Sequence, residues 1–508
     1  MPQETAIQKL RKDVSNRLKD GLTIIVLGAS GDLAKKKTFP AIFALYKDGF
    51  LPKNTKVMGY ARSDLDEQEF HKRVQSNLEI DSDDLKKKSE EFIKLCSYVK
   101  GKYDKDESFK NLDKVIAESE KERGLKGEQT SRIFYMALPP GVYIEVSKGL
   151  SNFVRSKEGK TSLVIEKPFG KDSESAIELV DEIKKLFKEE EVYRIDHYLG
   201  KELAKDLLNF RFANMIFSPL WNNQYIDTVQ ISLKEPFGCE GRGGYFDEYG
   251  VIRDVIQNHL LQLFSIIAME RPVKRDSESI RDEKVKLLKS VKPLKIEDCL
   301  LGQYVKSGDK PGYTEDETVP DDSLTATFAS IALWVENERW DGVPFILKNG
   351  KALDNSKAEI RIQFKKVPGS LFTDEPRNEL VFRVQPGEAI YMKFNNKIPG
   401  FSSDSMITEL DLTYKSRYDN LKIPAAYETL LLDVMLGDHS NFVRDDELIA
   451  AWEIFTPLLH HVENDKIKPE PYPYGSRGPE KLNEFAKKYG IERLEHENYH
   501  WPKHNLEG

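Results

Sequence analysis

Thr23-Ile-Ile-Val-Leu27, followed directly by Gly28-Ala-Ser-Gly31-Asp-Leu-Ala34, is the stretch whose reading decides the fold. The first five residues are a β-type apolar run. The next seven form a variant of the dinucleotide fingerprint with alanine in the third position. Gly28 can make the tight turn, Gly31 lets the backbone approach a pyrophosphate, and Ala34 is small enough for close helix–strand packing. The helix opening there would offer N–H donors and the positive end of its dipole to phosphate. Such glycines taken alone are readily a chance turn; the strand before them and the helix after them carry the reading.

Working outward, Lys56–Tyr60, Arg132–Leu138, Ser162–Ile165 and Val192–Ile195 are further strand candidates separated by helix-period segments. That alternation predicts a parallel sheet covered by helices. Ser175-Ala-Ile-Glu178 reads as a capping box, followed by Val180, Ile183 and Phe187 at helical spacing with Ile177, so Ser162–Asp196 reads as a βαβ unit. Residues 21–200 are expected to be an α/β Rossmann-type dinucleotide-binding domain behind a flexible segment 1–20. After a helix Lys201–Phe212, Val229, Ile231 and Leu233 alternate with polar residues, as do Ile360/Ile362/Phe364 and Leu380/Phe382/Val384. Residues 201–508 are therefore expected to be a larger α+β domain built on a mostly antiparallel sheet, with helices such as Val251–Met269 on one side.

Composition narrows the function class. Among 508 residues, 39% are hydrophobic and 32% charged, and the formal net charge is −8, which argues against broad attraction to nucleic acid. An anionic small substrate must therefore meet a local basic pocket. The longest apolar runs, such as Leu260–Met269, fall short of the ~18 residues a membrane span needs. Three widely spaced cysteines, Cys96, Cys239 and Cys299, fit neither a disulfide framework nor a zinc site, and no metal is expected. The first 20 residues have neither a secretory apolar stretch nor an acid-free transit composition, so a cytoplasmic protein is expected.

The chemistry-bearing residues cluster at strand ends. Tyr60-Ala-Arg62-Ser63 follows the second strand, where an acid would accept from an NAD ribose and a guanidinium would pair with a 2′-phosphate. Arg62 favours NADP; Asp64 or Asp66 could serve NAD instead, or Arg62 be a surface arginine. Lys35, Lys36 and Lys37 fan around a helix and most are expected to be solvated. Glu166-Lys167-Pro168 and Asp196-His197-Tyr198 lie at later strand ends. His197, Tyr198 and Lys201 together would make a phosphate cradle, or an ordinary polar turn. His259 sits in an apolar helix with Asp254 and Asn258 nearby; it reads either as a structural histidine or as a base for alcohol oxidation held by a carboxylate.

Gly28–Lys37, Glu166-Lys-Pro-Phe-Gly170 and Arg194-Ile-Asp-His-Tyr-Leu-Gly-Lys-Glu202 resemble, in order and separation, signature segments of the glucose-6-phosphate dehydrogenase family. The likeness continues through Lys234–Gly238, Glu240–Asp247, Trp340–Phe345 and Tyr474–Pro479, covering about residues 20–480. The resemblance implies oxidation of glucose 6-phosphate at C1 with NADP as cofactor. It makes His259 the base, Asp196 its orienting carboxylate and Lys167 a catalytic residue between sugar and cofactor. His197, Tyr198, Lys201 and Lys351 would hold the substrate phosphate, and Glu235 and Asp254 the sugar hydroxyls. Gly28, Ser30, Gly31, Asp32, Leu33, Arg62, Tyr103 and Tyr143 would contact the cofactor. Eukaryotic members bind a second, structural NADP, for which Lys357, Arg361, Arg383, Tyr391, Lys393, Asp411, Arg477, Tyr499 and Trp501 are the candidates here, although Ser356 stands where an arginine is common and the tail past Glu480 diverges. A homodimer or homotetramer is the assembly the family implies. The rivals are an oxidoreductase of the same shape acting on another sugar or an aldehyde, and a non-catalytic NADP sensor.

Overall fold

The computed structural model describes residues 2–372, 375–401, 403–418 and 421–491. The chain divides into two units. The first comprises Met1–Gly200, Lys274–Arg281 and Pro424–Ile449; the second comprises Lys201–Val273, Asp282–Ile423 and Ala450–Gly508.

The first unit is built on β1 (Gly21–Leu27), β2 (Asn54–Ala61), β3 (Cys96–Lys100), β4 (Arg132–Met136), β5 (Thr161–Glu166) and β6 (Val192–Ile195). They pair in parallel in the order β3-β2-β1-β4-β5-β6, the doubly wound dinucleotide-binding order. Every residue of β1, β4, β5 and β6 is buried. A sheet covered on both faces requires this, and it is why these segments read as unbroken apolar runs.

The second unit contains β7 (Ile226–Lys234), β8 (Cys299–Val305), β9 (Phe328–Leu333), β10 (Phe345–Gly350), β11 (Lys357–Phe364), β12 (Glu379–Gln385), β13 (Ala389–Lys397) and β14 (Ser405–Thr413). Later in the chain, β15 (Phe442–Val443) returns to the first unit antiparallel to β6, and β16 (Glu470–Pro473) runs parallel to β8. The second sheet has the order β14-β13-β12-β11-β7-β10-β9-β8-β16 and is antiparallel except at β7–β10 and β8–β16. In β7 the side chains of Val229, Ile231 and Leu233 are buried while Gln230, Ser232 and Lys234 are partly exposed, the predicted alternation. Val229 pairs with Ile362 and Ile231 with Ile360. Among the described residues, no helix is long and apolar enough to cross a membrane.

Four expectations need correction. Residues 2–18, read as flexible, form a helix whose stripe Ile7, Leu10, Val14 and Leu18 ends in two buried side chains; charges between single apolar residues hid the period. The first unit does not end at residue 200 but takes in Lys274–Arg281 and Pro424–Ile449, a return that only long-range pairing such as β15–β6 can dictate. The helix Ser173–Lys184 is capped by Asp172, which accepts from Ser175 N at 2.9 Å, and does not start at a Ser175 cap. The helix expected over Val251–Met269 is interrupted by a π-helical stretch, Ile252–Leu260.

Val14 is fully buried in the core of the first unit. Val14→Asp is expected to lower stability by on the order of 3 kcal/mol, through a buried charge without a partner, read as a lower urea midpoint.

Candidate active site

At the end of β1 the chain turns at Gly28 with φ +78°. A Cβ there would lie 2.2 Å from Ala137 O, so no side chain fits. Gly28 N donates to Tyr60 O at 2.9 Å and Gly31 N to Gly28 O at 2.8 Å, which folds the loop back over the strand ends. Ala34 is fully buried behind it. Gly31 and Asp32 are exposed at the opening of the helix and Leu33 is half-buried. These residues fit a dinucleotide pyrophosphate: a cradle with no Cβ, followed by a helix N-terminus. Lys36 and Lys37 are exposed, as expected, and Lys36 pairs with Asp32 at 2.9 Å.

At the end of β2, Arg62 is exposed with its guanidinium 5.6 Å above the Tyr103 ring. Ser63 Oγ donates to Ser30 Oγ at 2.9 Å, tying this strand end to the glycine loop. The two acids that would suit an NAD ribose are engaged elsewhere. Asp64 pairs with Lys100 at 2.9 Å, and Asp66 caps the helix Glu67–Gln75. Sequence reasoning passed over Arg73, whose Nη1 donates to Ser30 O at 2.6 Å; nothing in its linear spacing marks it.

Beyond β5, the Lys167–Pro168 bond is cis. Glu166 is buried and accepts from the Tyr135 hydroxyl and from Tyr427, while Tyr143, fully buried, donates to Glu166 O at 2.8 Å. Tyr143 thus braces the backbone beside Lys167 from inside the unit. Burial lifts the Glu166 carboxyl to about 7, although Tyr135, Lys167 and Tyr427 favour its charged form. Beyond β6, Asp196 is buried and its Oδ1 accepts from Tyr198 N at 2.9 Å, closing a tight turn that presents a half-buried His197. The His197 ring lies nearly parallel to that of Tyr427 at 6.0 Å and tilted to that of Tyr198 at 5.1 Å.

In the second unit, Lys201 stands at the N-cap of the helix Glu202–Ala213. Lys351 is buried, with Nζ 3.0 Å from Glu235 Oε2, 3.5 Å from Asp254 Oδ2 and 5.1 Å over the Phe246 ring. Burial opposes its charge, but the two carboxylates outweigh it and raise its pKa above the ordinary lysine value. Lys351, expected to hold a phosphate, is thus the cation between the two expected sugar-binding carboxylates. His259 is buried on the π-helical stretch, and Asn258 Oδ1 accepts its backbone N–H at 2.8 Å. With i→i+5 hydrogen bonding, residues five apart rise along one face, so Asp254 and His259 share a side that an α-helix would deny them.

Along β11–β14 lies a separate polar cluster. Lys357 pairs with Glu359 at 2.6 Å, Arg361 with Glu359 at 3.1 Å and Glu379 at 2.8 Å, and Lys393 with Glu379 at 3.1 Å. Arg383 lies 5.9 Å from the Tyr391 ring, which is in register with Asp411. Burial opposes ionisation of Glu359, yet Arg361 and Lys357 hold its carboxyl down at about 2. Arg477 is exposed and 3.8 Å from Asp354. Tyr499 and Trp501 lie outside the described residues.

Comparison with known proteins agrees across both units. Residues 25–206 match the family model described as glucose-6-phosphate dehydrogenase, NAD binding domain, and residues 208–502 its C-terminal domain. The chain is similar to the glucose-6-phosphate 1-dehydrogenase of Emericella nidulans, with 54% identity over 488 residues covering 96% of this chain and 95% of that one. The Saccharomyces cerevisiae enzyme of that name is also 54% identical, over 486 residues covering 94% and 95%. Glucose-6-phosphate 1-dehydrogenase 5, cytoplasmic, of Arabidopsis thaliana is 53% identical over 489 residues covering 94% and 93%. A solved structure of a glucose-6-phosphate dehydrogenase in complex with its substrate glucose-6-phosphate superposes with a TM-score of 0.89 at 50% identity, covering 93% of this chain and 98% of that one.

Between the ordinary glutamate pKa and about 7, folded chains hold a proton on Glu166 that unfolded chains have released. Stability therefore falls as pH rises through that window, and the penalty is complete above it. Gln at this position does not titrate. Glu166→Gln is expected to gain on the wild type by on the order of 1–3 kcal/mol between about pH 5 and about pH 8, measured as the change in the difference of their urea unfolding free energies.

Proposed function

The chain belongs to the glucose-6-phosphate dehydrogenase family, and from that premise we infer that it oxidises D-glucose 6-phosphate at C1 to 6-phospho-D-glucono-1,5-lactone, reducing NADP to NADPH as the first step of the oxidative pentose phosphate pathway. The observation that carries the residue-level reading is the buried His259 sharing a helical face with Asp254, whose carboxylate meets the Lys351–Glu235 pair. That is a base beside a hydrogen-bonding basin for hydroxyls.

His259 takes the proton of the C1 hydroxyl as the carbonyl forms, with Asp196 as the carboxylate that orients its imidazole. NADP, when bound, supplies the hydride acceptor. Glu235 and Asp254 accept from sugar hydroxyls, and Lys351 holds both carboxylates in place. His197, Tyr198 and Lys201 hold the 6-phosphate, and Lys167 lies between sugar and nicotinamide. Arg62 on the Tyr103 ring supports reading of the 2′-phosphate, since Asp64 and Asp66 are occupied by Lys100 and a helix cap. A cytoplasmic location belongs to the same reading.

A second, structural NADP on the large sheet is part of the proposal. Lys357, Arg361, Arg383 and Lys393 gather four cationic side chains on the neighbouring strands β11–β13, a concentration of positive charge that supports phosphate binding there. Self-association through this sheet, as dimers or tetramers, is supported by exposed Met406 and Leu410 on the edge strand β14.

Mixing the protein with glucose 6-phosphate and NADP is expected to give rapid growth of the reduced-nicotinamide absorbance, with little from free glucose; NADP binding without turnover would favour the sensor reading. His259→Asn is expected to lower turnover by about 10²–10⁴-fold while sparing NADP affinity. Lys201→Ala is expected to raise KM for glucose 6-phosphate far more than for free glucose. For the structural site, NADP is expected to raise the melting temperature even of Arg62→Ala, and Arg361→Ala to abolish that remaining rise.

A further inference from the structure

We propose that Arg73 is a second reader of the cofactor 2′-phosphate, closing a two-arginine clamp with Arg62. The inference rests on the NADP reading above and assigns a specificity-determining residue that no sequence motif marks.

The argument begins with how the helix Glu67–Gln75 is held. Its start is fixed reciprocally: Glu69 N donates to Asp66 Oδ1 at 2.8 Å and Asp66 N to Glu69 Oε2 at 3.1 Å. Its inward anchor, Phe70, is fully buried against the glycine loop and its neighbouring strand. A Cβ on Gly59 would lie 2.5 Å from the Phe70 ring and 2.9 Å from the Ala29 Cβ, so the absence of a side chain at Gly59 is what lets the helix approach the loop. Phe70 also packs on Phe39 and on Tyr98, whose hydroxyl donates to Ser63 O at 2.7 Å.

Arg73 lies three residues past Phe70, one turn along the same helix. Its Nη1 reaches Ser30 O at 2.6 Å, while Ser30 Oγ accepts from Ser63 Oγ at 2.9 Å. The Arg73 guanidinium is thus bonded to the Ser30–Ser63 junction between the glycine loop and the end of β2, and Arg62 is carried into the same junction by the chain, as the residue before Ser63. Among the described residues no carboxylate pairs with Arg73, and the contact to Ser30 uses one of the five N–H groups of a guanidinium. Two arginines carried by one polar junction suit a phosphate dianion, with its several acceptor oxygens, better than a ribose hydroxyl.

The test is equilibrium titration by calorimetry with adenosine 2′,5′-bisphosphate and with 5′-AMP, which differ in the 2′-phosphate and carry no nicotinamide, read at the site that Arg62→Ala weakens. Arg73→Gln retains a donor for Ser30 O and removes the charge; Arg73→Ala removes both. Both variants are expected to bind the bisphosphate about 5- to 50-fold more weakly and 5′-AMP within about twofold of the wild type. Equal weakening of both ligands, or wild-type behaviour of Arg73→Gln, would overturn the proposal and leave Arg73 as an anchor for the loop. A wild type with no preference for the bisphosphate would overturn the NADP reading as well, whereas a preference unaltered in both variants overturns the Arg73 role alone.

Discussion

The backbone at Gly28 passes so close to the Ala137 carbonyl that a Cβ would stand 2.2 Å from its oxygen, in a conformation, φ +78°, that L side chains rarely adopt. Around that contact, Gly28 N bonds Tyr60 O and Ala137 N bonds Leu27 O at 3.0 Å, so the ends of β1, β2 and β4 are fixed to one another within a few atoms. Everything suspended from those ends takes its place from this constraint: Ser30 on the loop, Ser63 and Arg62 after β2. The parallel sheet concentrates chemistry at its carboxyl edge because its faces are filled by apolar side chains and only the strand ends are left for polar groups.

The later strand ends are braced differently, by polar groups inside the unit. Tyr143 holds the Glu166 carbonyl; Tyr135 and Tyr427 hold its carboxyl. Tyr427 also lies parallel to His197. One tyrosine therefore touches both the segment that carries Lys167 and the turn that carries His197. Support of this kind matters where a binding group must be placed to a fraction of an ångström. It also explains why Glu166 is tolerated in a dry setting: two tyrosine hydroxyls hydrogen-bond its carboxyl.

In the second unit the order comes from a helix of unusual pitch and an ion triad around a buried lysine. The π-helical stretch changes which residues share a face, bringing Asp254 into line with His259, and Lys351 draws Asp254 and Glu235 to one ammonium. Lys351 is itself fixed by its backbone, its N–H bonding Thr327 O and its carbonyl accepting from Tyr472. Such a triad stabilises little by its charges alone, since desolvation of the buried ammonium opposes the attraction, but it orients two carboxylates.

What the sequence by itself determined was local. The run Thr23–Leu27, the glycines after it and the alternation in β7 declare parallel and antiparallel sheets, because burial on two faces or on one writes a different period into the chain. The glycine loop, Arg62, Lys167, Asp196 and His259 were legible for a related reason: each sits at a strand end or in an apolar run where a polar residue stands out. The tertiary structure decided whatever depends on residues far apart in the chain. It returned 424–449 to the first unit and put Tyr427 on Glu166. It gave Lys351 to Glu235 and Asp254, and used Asp66 as a helix cap. It also carried Arg73 to the glycine loop, since the gap left by Gly59 and the anchor of Phe70 set that distance and no linear spacing encodes either.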